Sequence, residues 1–94
     1  MVEQEHVQEF KSRNRIFYDM EDARLKRDLE FSYQDIQDKC GVFNINESFK
    51  GRELVYERTR YEFNDCLEDF YDNFLSDIVQ FQLTNMEVIE DGTI

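Results

Sequence analysis

GRELVYERTRYEFNDCLEDFYDNFLSDIVQFQ, residues 51–82, carries the longest helical pattern in the chain. Inward-reading positions recur in it at Val55, Thr59, Phe63, Leu67, Phe70, Phe74, Ile78 and Phe81. The steps of three and four hold one face of an α-helix in register. No proline interrupts the stretch, and its one glycine is its first residue. The pattern predicts a single helix from about Glu53 to Phe81, roughly 45 Å long at 1.5 Å per residue. Phe63, Phe70, Phe74 and Phe81 each offer roughly 1.5–3 kcal/mol if fully buried. Tyr56, Tyr71, Leu75 and Val79 sit beside the stripe and widen it beyond what one partner helix covers. The face is either the broad core side of a small bundle or a side shared with a neighbouring subunit.

The polar face has an uneven charge. Arg52, Arg58 and Arg60 come early, followed by Glu62, Asp65, Glu68, Asp69, Asp72 and Asp77. That order opposes the helix macrodipole, so packing outweighs it or the charges meet partners. Simple solvation is the plainest account of most of them.

The chain of 94 residues is one domain with a modest core. Aromatic residues make up 15% and proline is absent, which points to an ordered, mostly helical chain. A net charge of −11 repels nucleic-acid phosphates and anionic membrane surfaces. No apolar run reaches the length of a membrane span, and MVEQEHVQEF at the start lacks the apolar core of a signal peptide. Cys40 and Cys66 are far apart and outside any C-x-x-C pair, as expected of free thiols in a reducing compartment.

Upstream, Met1 to Asn14 reads as a short helix with Val7 and Phe10 inward. Lys11, Arg13 and Arg15 form a basic cluster, His6 is expected in solvent, and Ile16 and Phe17 are expected in the core. Asp19 reads as an N-cap, with Asp22 three residues on. The helix it opens runs to about Cys40, with Leu25, Leu29, Ser32, Tyr33 and Ile36 inward and Phe31 flanking. Gly41 sits where a left-handed residue ends a helix. Arg24, Lys26 and Arg27 make a compact basic patch. Val42 to Lys50 is an anchored connection in which Asn46 or Ser48 caps the next helix. After Gln82 the periodicity weakens: LTNMEVIEDGTI carries Leu83, Met86, Val88, Ile89 and Ile94, either fraying or forming an arm that orders against a partner. The expected architecture is all-α, a bundle of three to four helices around one long C-terminal helix. Residues 1–82 form the domain and residues 83–94 the arm.

Catalytic motifs are missing. There is no Gly-rich phosphate loop, H-E-x-x-H, nucleophile elbow, Cys/His metal spacing or calcium loop. Glu68, Asp69 and Asp72 are close carboxylates with no histidine or cation placed to tune them.

Read as one unit, FKSRNRIF (residues 10–17), YDMED (18–22), YQDIQDKCG (33–41) and ELVYERTRYEFNDCLEDFYDNFLSDI (53–78) resemble the head-tail connector, or adaptor, proteins of long-tailed bacteriophages. In that family a basic end of the first helix leads to an acidic step, and the next helix ends in a Cys-Gly or similar pair. The last helix opens with an R-x-R-Y-x-x-N-D-like run, matched by Arg58, Arg60, Tyr61, Asn64 and Asp65. The resemblance covers roughly residues 7–82. It implies a non-enzymatic helical protein without cofactor, assembled as a ring, usually of twelve subunits, beneath the portal protein. Such a ring extends the DNA channel without binding DNA specifically and docks a stopper or tail-completion protein. Its place is the virion's head-tail junction, and the host cytoplasm during assembly. The basic patch Arg24, Lys26 and Arg27 and the acidic run from Glu62 to Asp77, including Asp65, Asp69 and Asp72, are candidate complementary patches between subunits, and Leu83, Met86, Val88 and Ile89 are candidates to dock on the portal or a neighbour. Two other readings stand beside it. One is an acidic helical inhibitor that mimics DNA and blocks a nucleic-acid-binding enzyme. The other is a small export-partner hairpin, suggested by Y-x-x-x-D at Tyr18–Asp22 and Tyr61–Asp65.

Overall fold

A computed structural model describes the backbone of residues 1–91 and the side chains of residues 1–86. The helices are α1 (Gln4–Arg13), α2 (Asp22–Cys40), α3 (Phe49–Phe63), α4 (Phe70–Asn73) and α5 (Leu75–Asp91), with a 3₁₀ turn over Leu67–Asp69 ahead of α4. No strand occurs among the described residues, so the all-α expectation holds. The single long C-terminal helix does not: it is divided into α3, α4 and α5.

The division has a local cause at Asn64 and Asp65. The Asp65 backbone is left-handed at φ 60°. Its N–H donates to the Glu62 carbonyl at 3.1 Å, and the Cys66 N–H reaches back to the Tyr61 carbonyl at 2.9 Å. These two bonds form a Schellman stop, and the Asn64 amide reinforces it by donating to the Arg60 carbonyl at 3.0 Å. The chain then folds back. The Phe81 ring lies 5.2 Å from the Phe43 ring, and Phe43 lies so close to Gly51 that a Cβ there would sit 2.6 Å from its Cδ2. A straight helix would carry Phe81 about 45 Å away from Gly51. A second interruption at Phe74 (φ −113°, ψ 17°) separates α4 from α5.

α1 ends by the same device. Arg15 is left-handed at φ 58°, Ile16 N–H donates to the Lys11 carbonyl at 2.9 Å, and the Asn14 amide donates to the Phe10 carbonyl at 2.8 Å. Ile16 takes the buried position that follows such a stop, as expected. Phe17, expected in the core beside it, is instead 86% exposed.

α2 packs against α3 at the centre of the molecule. Leu25, Leu29, Ser32 and Ile36 are buried as expected, with Tyr33 half-buried. Ser32 faces Thr59: the Thr59 hydroxyl donates to the Val55 carbonyl at 2.8 Å, and the Ser32 hydroxyl lies 2.8 Å from Thr59 Oγ1. Asp19 is not the N-cap. Glu21 precedes the helix without a side-chain cap bond, while Asp19 and Asp22 both bind the Lys11 ammonium, at 2.8 and 2.7 Å. A lysine folded against the core draws those carboxylates more strongly than a free backbone N–H does. Gly41 does end α2, at φ 96° and ψ 162°, a region reserved for glycine but extended rather than left-handed helical. Ser48 caps α3 by accepting from the Gly51 N–H at 3.1 Å.

His6 is buried, contrary to expectation. The Glu3 N–H donates to its Nδ1 at 2.8 Å, as the acid does in a capping box. The ring proton therefore sits on Nε2, which faces Asn46 Oδ1 at 2.8 Å and ties α1 to the α2–α3 connection.

Residues 83–91, expected as an arm, continue α5 in the backbone. Gln82 donates to the Lys39 carbonyl at 2.9 Å, and Asn85 to those of Cys40 and Val42 at 2.8 and 3.2 Å. The Lys39 and Cys40 carbonyls are among those α2 leaves open at its end, and Val42 follows it, so the start of the supposed arm is fastened to the subunit. The side chains of Val88 and Ile89, and residues 92–94 entirely, lie outside the described residues.

Arg15→Gly and Asp65→Gly should each raise stability by about 0.5–1 kcal/mol, because glycine takes φ near +60° without the Cβ clash. Thermal melts check this; a lowered midpoint in both would contradict the two stops. Phe70→Ala, at a fully buried ring, should cost about 3–5 kcal/mol. The half-buried Phe63 should cost less, and equal losses in denaturant titrations would contradict that burial order.

Candidate functional site

The fold-back places a polar cluster where α2, α3 and α4 meet. Arg58, its side chain 12% exposed, is the centre, with Nε 3.2 Å from Asp35 Oδ2. The same Nε donates to the Tyr71 hydroxyl at 3.1 Å, and another guanidinium N–H donates to Ser32 Oγ at 3.0 Å. Tyr71 in turn donates to Asp35 at 2.9 Å. Lys39 closes the group, 2.7 Å from Asp35 Oδ1 and over the Tyr71 ring at 4.9 Å. Burial alone would raise the Asp35 carboxyl, but the bonds from Lys39 and Tyr71 and the Arg58 charge outweigh it and hold it below its ordinary value. Glu62 goes the other way: burial and the neighbouring Asp28 push it up, against the pull of Arg58. No buried side-chain nitrogen or oxygen among the described residues lacks a partner. The cluster is a clamp between helices, with its hydrogen-bonding capacity turned inward.

The residues that carry the family resemblance have internal roles. Arg58 is the centre of the clamp, and Arg60 pairs with Glu57 at 2.6 Å. Tyr61 stacks edge-on with Phe70 and Phe74 and accepts from Asn73 at 3.0 Å. Asn64 and Asp65 form the stop.

The six charged candidates are not brought together within the subunit. Arg24 is engaged already, 3.2 Å from Glu21 and 3.6 Å from Asp28, with its guanidinium over Phe63. Lys26 and Arg27 are exposed, and among the described residues neither has an ion-pair partner. Asp65, Asp69 and Asp72 are likewise exposed and unpaired among the described residues.

The structure shows two surfaces, the first of which the sequence places only in part. The first is the outer face of α5, where Leu75, Val79, Leu83 and Met86 are exposed at helical spacing. Val42, also exposed, lies at its far end, where Asn85 holds its carbonyl. Leu75 and Val79 do not widen the core stripe; Ile78 and Phe81, on a different face of the helix, are the buried ones. Between residues 75 and 86 the one charged residue is Asp77, in a chain that is 35% charged. The spacing was present in the sequence but masked by joining it to the stripe of α3. The second surface is a groove of about 370 Å³ between α3 and α5. Leu54, Phe74 and Phe49 line it with apolar surface, and among its charged residues Glu53, Glu57 and Asp77 outnumber Lys50.

Among the described residues no group of three or more His, Cys, Asp or Glu side chains is placed to hold a metal ion, and no helix is long and apolar enough to cross a membrane. Comparison with protein-family models, with curated proteins and with solved structures finds no match.

Asp35→Asn should cost about 1–3 kcal/mol at pH 7, the range for a lost charge-assisted bond in a partly buried group. The sign follows from the lowered carboxyl. Its contribution is present above the ordinary value of 3.8 and disappears as pH falls through the lower folded-state value. The stability gap between wild type and Asp35→Asn should therefore close below about pH 3.8. Denaturant titrations across pH check this; a gap constant down to the acid limit would contradict the clamp.

Proposed function

We propose that this protein is a structural adaptor of a bacteriophage head-tail junction, assembled as a ring on the portal, with the outer face of α5 as its main docking surface. The observation that carries the proposal is the apolar face Leu75, Val79, Leu83 and Met86 on a nearly uncharged helix segment. Depletion of charge around exposed apolar residues marks the centre of protein interfaces. Elsewhere a surface carrying −11 repels its own copies and DNA alike, which suits a channel that DNA must pass without sticking. The inward-turned clamp and the resemblance of residues 7–82 to the adaptor family support the same reading.

Ring contacts need two different patches on every subunit. Among the described residues Lys26 and Arg27 of the basic patch are without ion-pair partners, as are Asp65, Asp69 and Asp72, and both sets are open to a neighbour. Arg24, bound within its own subunit, is the weaker member. The exposed run Asp65, Glu68, Asp69 and Asp72 also favours a second reading, a DNA-mimicking inhibitor, which would form one-to-one complexes with a nucleic-acid-binding enzyme instead of rings.

Val79→Asp combined with Leu83→Asp should change stability by no more than about 0.5 kcal/mol per site, as for exposed positions, and should abolish attachment to a co-expressed portal. Lys26→Glu with Arg27→Glu should reduce ring occupancy on the portal while helicity is unchanged. Electron micrographs and the mass of the purified complex read both. Full occupancy in the α5 variant contradicts the docking face.

A further inference from the structure

We propose that the loop between α1 and α2 inserts Phe17 and Met20 into the α3–α5 groove of a second copy of this chain. The contact deepens the adaptor reading by naming how subunits join, and rests on it only for closure into a ring.

The loop is built to present these side chains. Ile16 anchors it on one side by lying in the core. Asp19 anchors it on the other through its 2.8 Å ion pair with Lys11. Between and beside these ties Phe17 is 86% exposed and Met20 90% exposed. An aromatic ring held in water by a fastened loop is unlike the scattered apolar residues of an ordinary surface. Arg15, next to Phe17, is exposed and has no ion-pair partner among the described residues.

The groove matches this knob in size and in charge. At about 370 Å³ it falls at the small end of binding sites, the scale of one or two side chains. Its lining by Leu54 and Phe74 is apolar. Glu53 and Glu57 already hold Arg13, whereas Asp77 has no ion-pair partner among the described residues and stands ready for a cation such as Arg15. A second copy brings the aromatic ring and that cation together. On α5 the groove is lined by Asp77 and Gln80, while the outer face is made of Leu75, Val79, Leu83 and Met86, so that face remains open to the portal when the groove is filled.

Knob and groove are different patches, so each copy offers both at once. Such a contact is heterologous, and it closes into a ring or runs on as a filament according to its rotation.

The test uses full chains carrying Cys66→Ser. One carries Tyr18→Cys, beside the knob, and the other Lys50→Cys, on the groove, both at exposed positions that leave Phe17, Met20 and Phe49 in place. Mixed at about 1 mM, where even contacts of roughly 4 kcal/mol are populated, they should form a disulfide-linked pair under mild oxidation. Each alone should give at least tenfold less of it, and Asp77→Lys in the Lys50→Cys chain should lower the yield. Cross-linking confined to open chains upholds the contact and removes the ring. Rings by mass without the cross-link overturn the contact and leave the adaptor reading standing. A chain that stays monomeric without the cross-link also overturns it. Equal cross-linking in the single-variant controls points to a symmetric contact and overturns it too.

Discussion

The left-handed Asp65 is the constraint on which the rest of this structure depends. At φ 60° it turns one amphipathic pattern into two opposed helical segments. Without that stop, Phe43 and Phe81 could not meet and no groove would lie between α3 and α5. Arg58 would also have no Tyr71 beside it. Tyr71 and Arg58 are 13 residues apart in sequence, and they share Asp35 on α2 because the chain has reversed between them. A non-glycine residue in this conformation costs roughly 1–2 kcal/mol. The two back-bonds of the stop, the Asn64 amide and the packing of the returning segment offset it.

Polar side chains divide into those that hold the subunit and those that face outward. Arg58, Lys39, Asp35 and Tyr71 hold α2, α3 and α4 together. Arg13 joins α1 to α3 through Glu53 at 2.8 Å and covers the Tyr56 ring at 4.9 Å. Tyr56 donates to Glu9 at 2.6 Å, and burial, helped by that bond, raises its hydroxyl well above the usual range. Of the charged interface candidates, Lys26, Arg27, Asp65, Asp69 and Asp72 face outward. Sequence counts these charges alike, and only the packing separates them.

The core was largely legible in the sequence. Val55, Thr59, Phe70, Ile78 and Phe81 read inward and are buried, as are Leu25, Leu29, Ser32 and Ile36. Periodicity survives the break because the turn restores the register when the chain returns. The break itself was not legible, since both stops use Asn followed by a charged residue and neither uses glycine. The same cause hid Phe17: with Ile16 taking the buried place after the stop, the next side chain leaves the core. His6 and Asp19 were misplaced because their partners, Asn46 and Lys11, are set by tertiary contacts. Among the interface candidates, Leu83 and Met86 fall on the exposed face of α5, but as part of a helix fastened by Asn85 and not as an arm.

The central claim is that residues 51–82 fold back on themselves, and one distance tests it most directly. Lys50 and Gln80 line the same groove. Spin labels can be placed at Lys50→Cys and Gln80→Cys with Cys66→Ser. Cys40 is buried, and its thiol is pushed up by that burial, so it reacts slowly. Pulsed electron–electron resonance should give a separation below about 25 Å, since both positions border one groove and labels add only their own reach. An unbroken helix, at 1.5 Å per residue, would set them about 45 Å apart, and a distribution centred there would contradict the account.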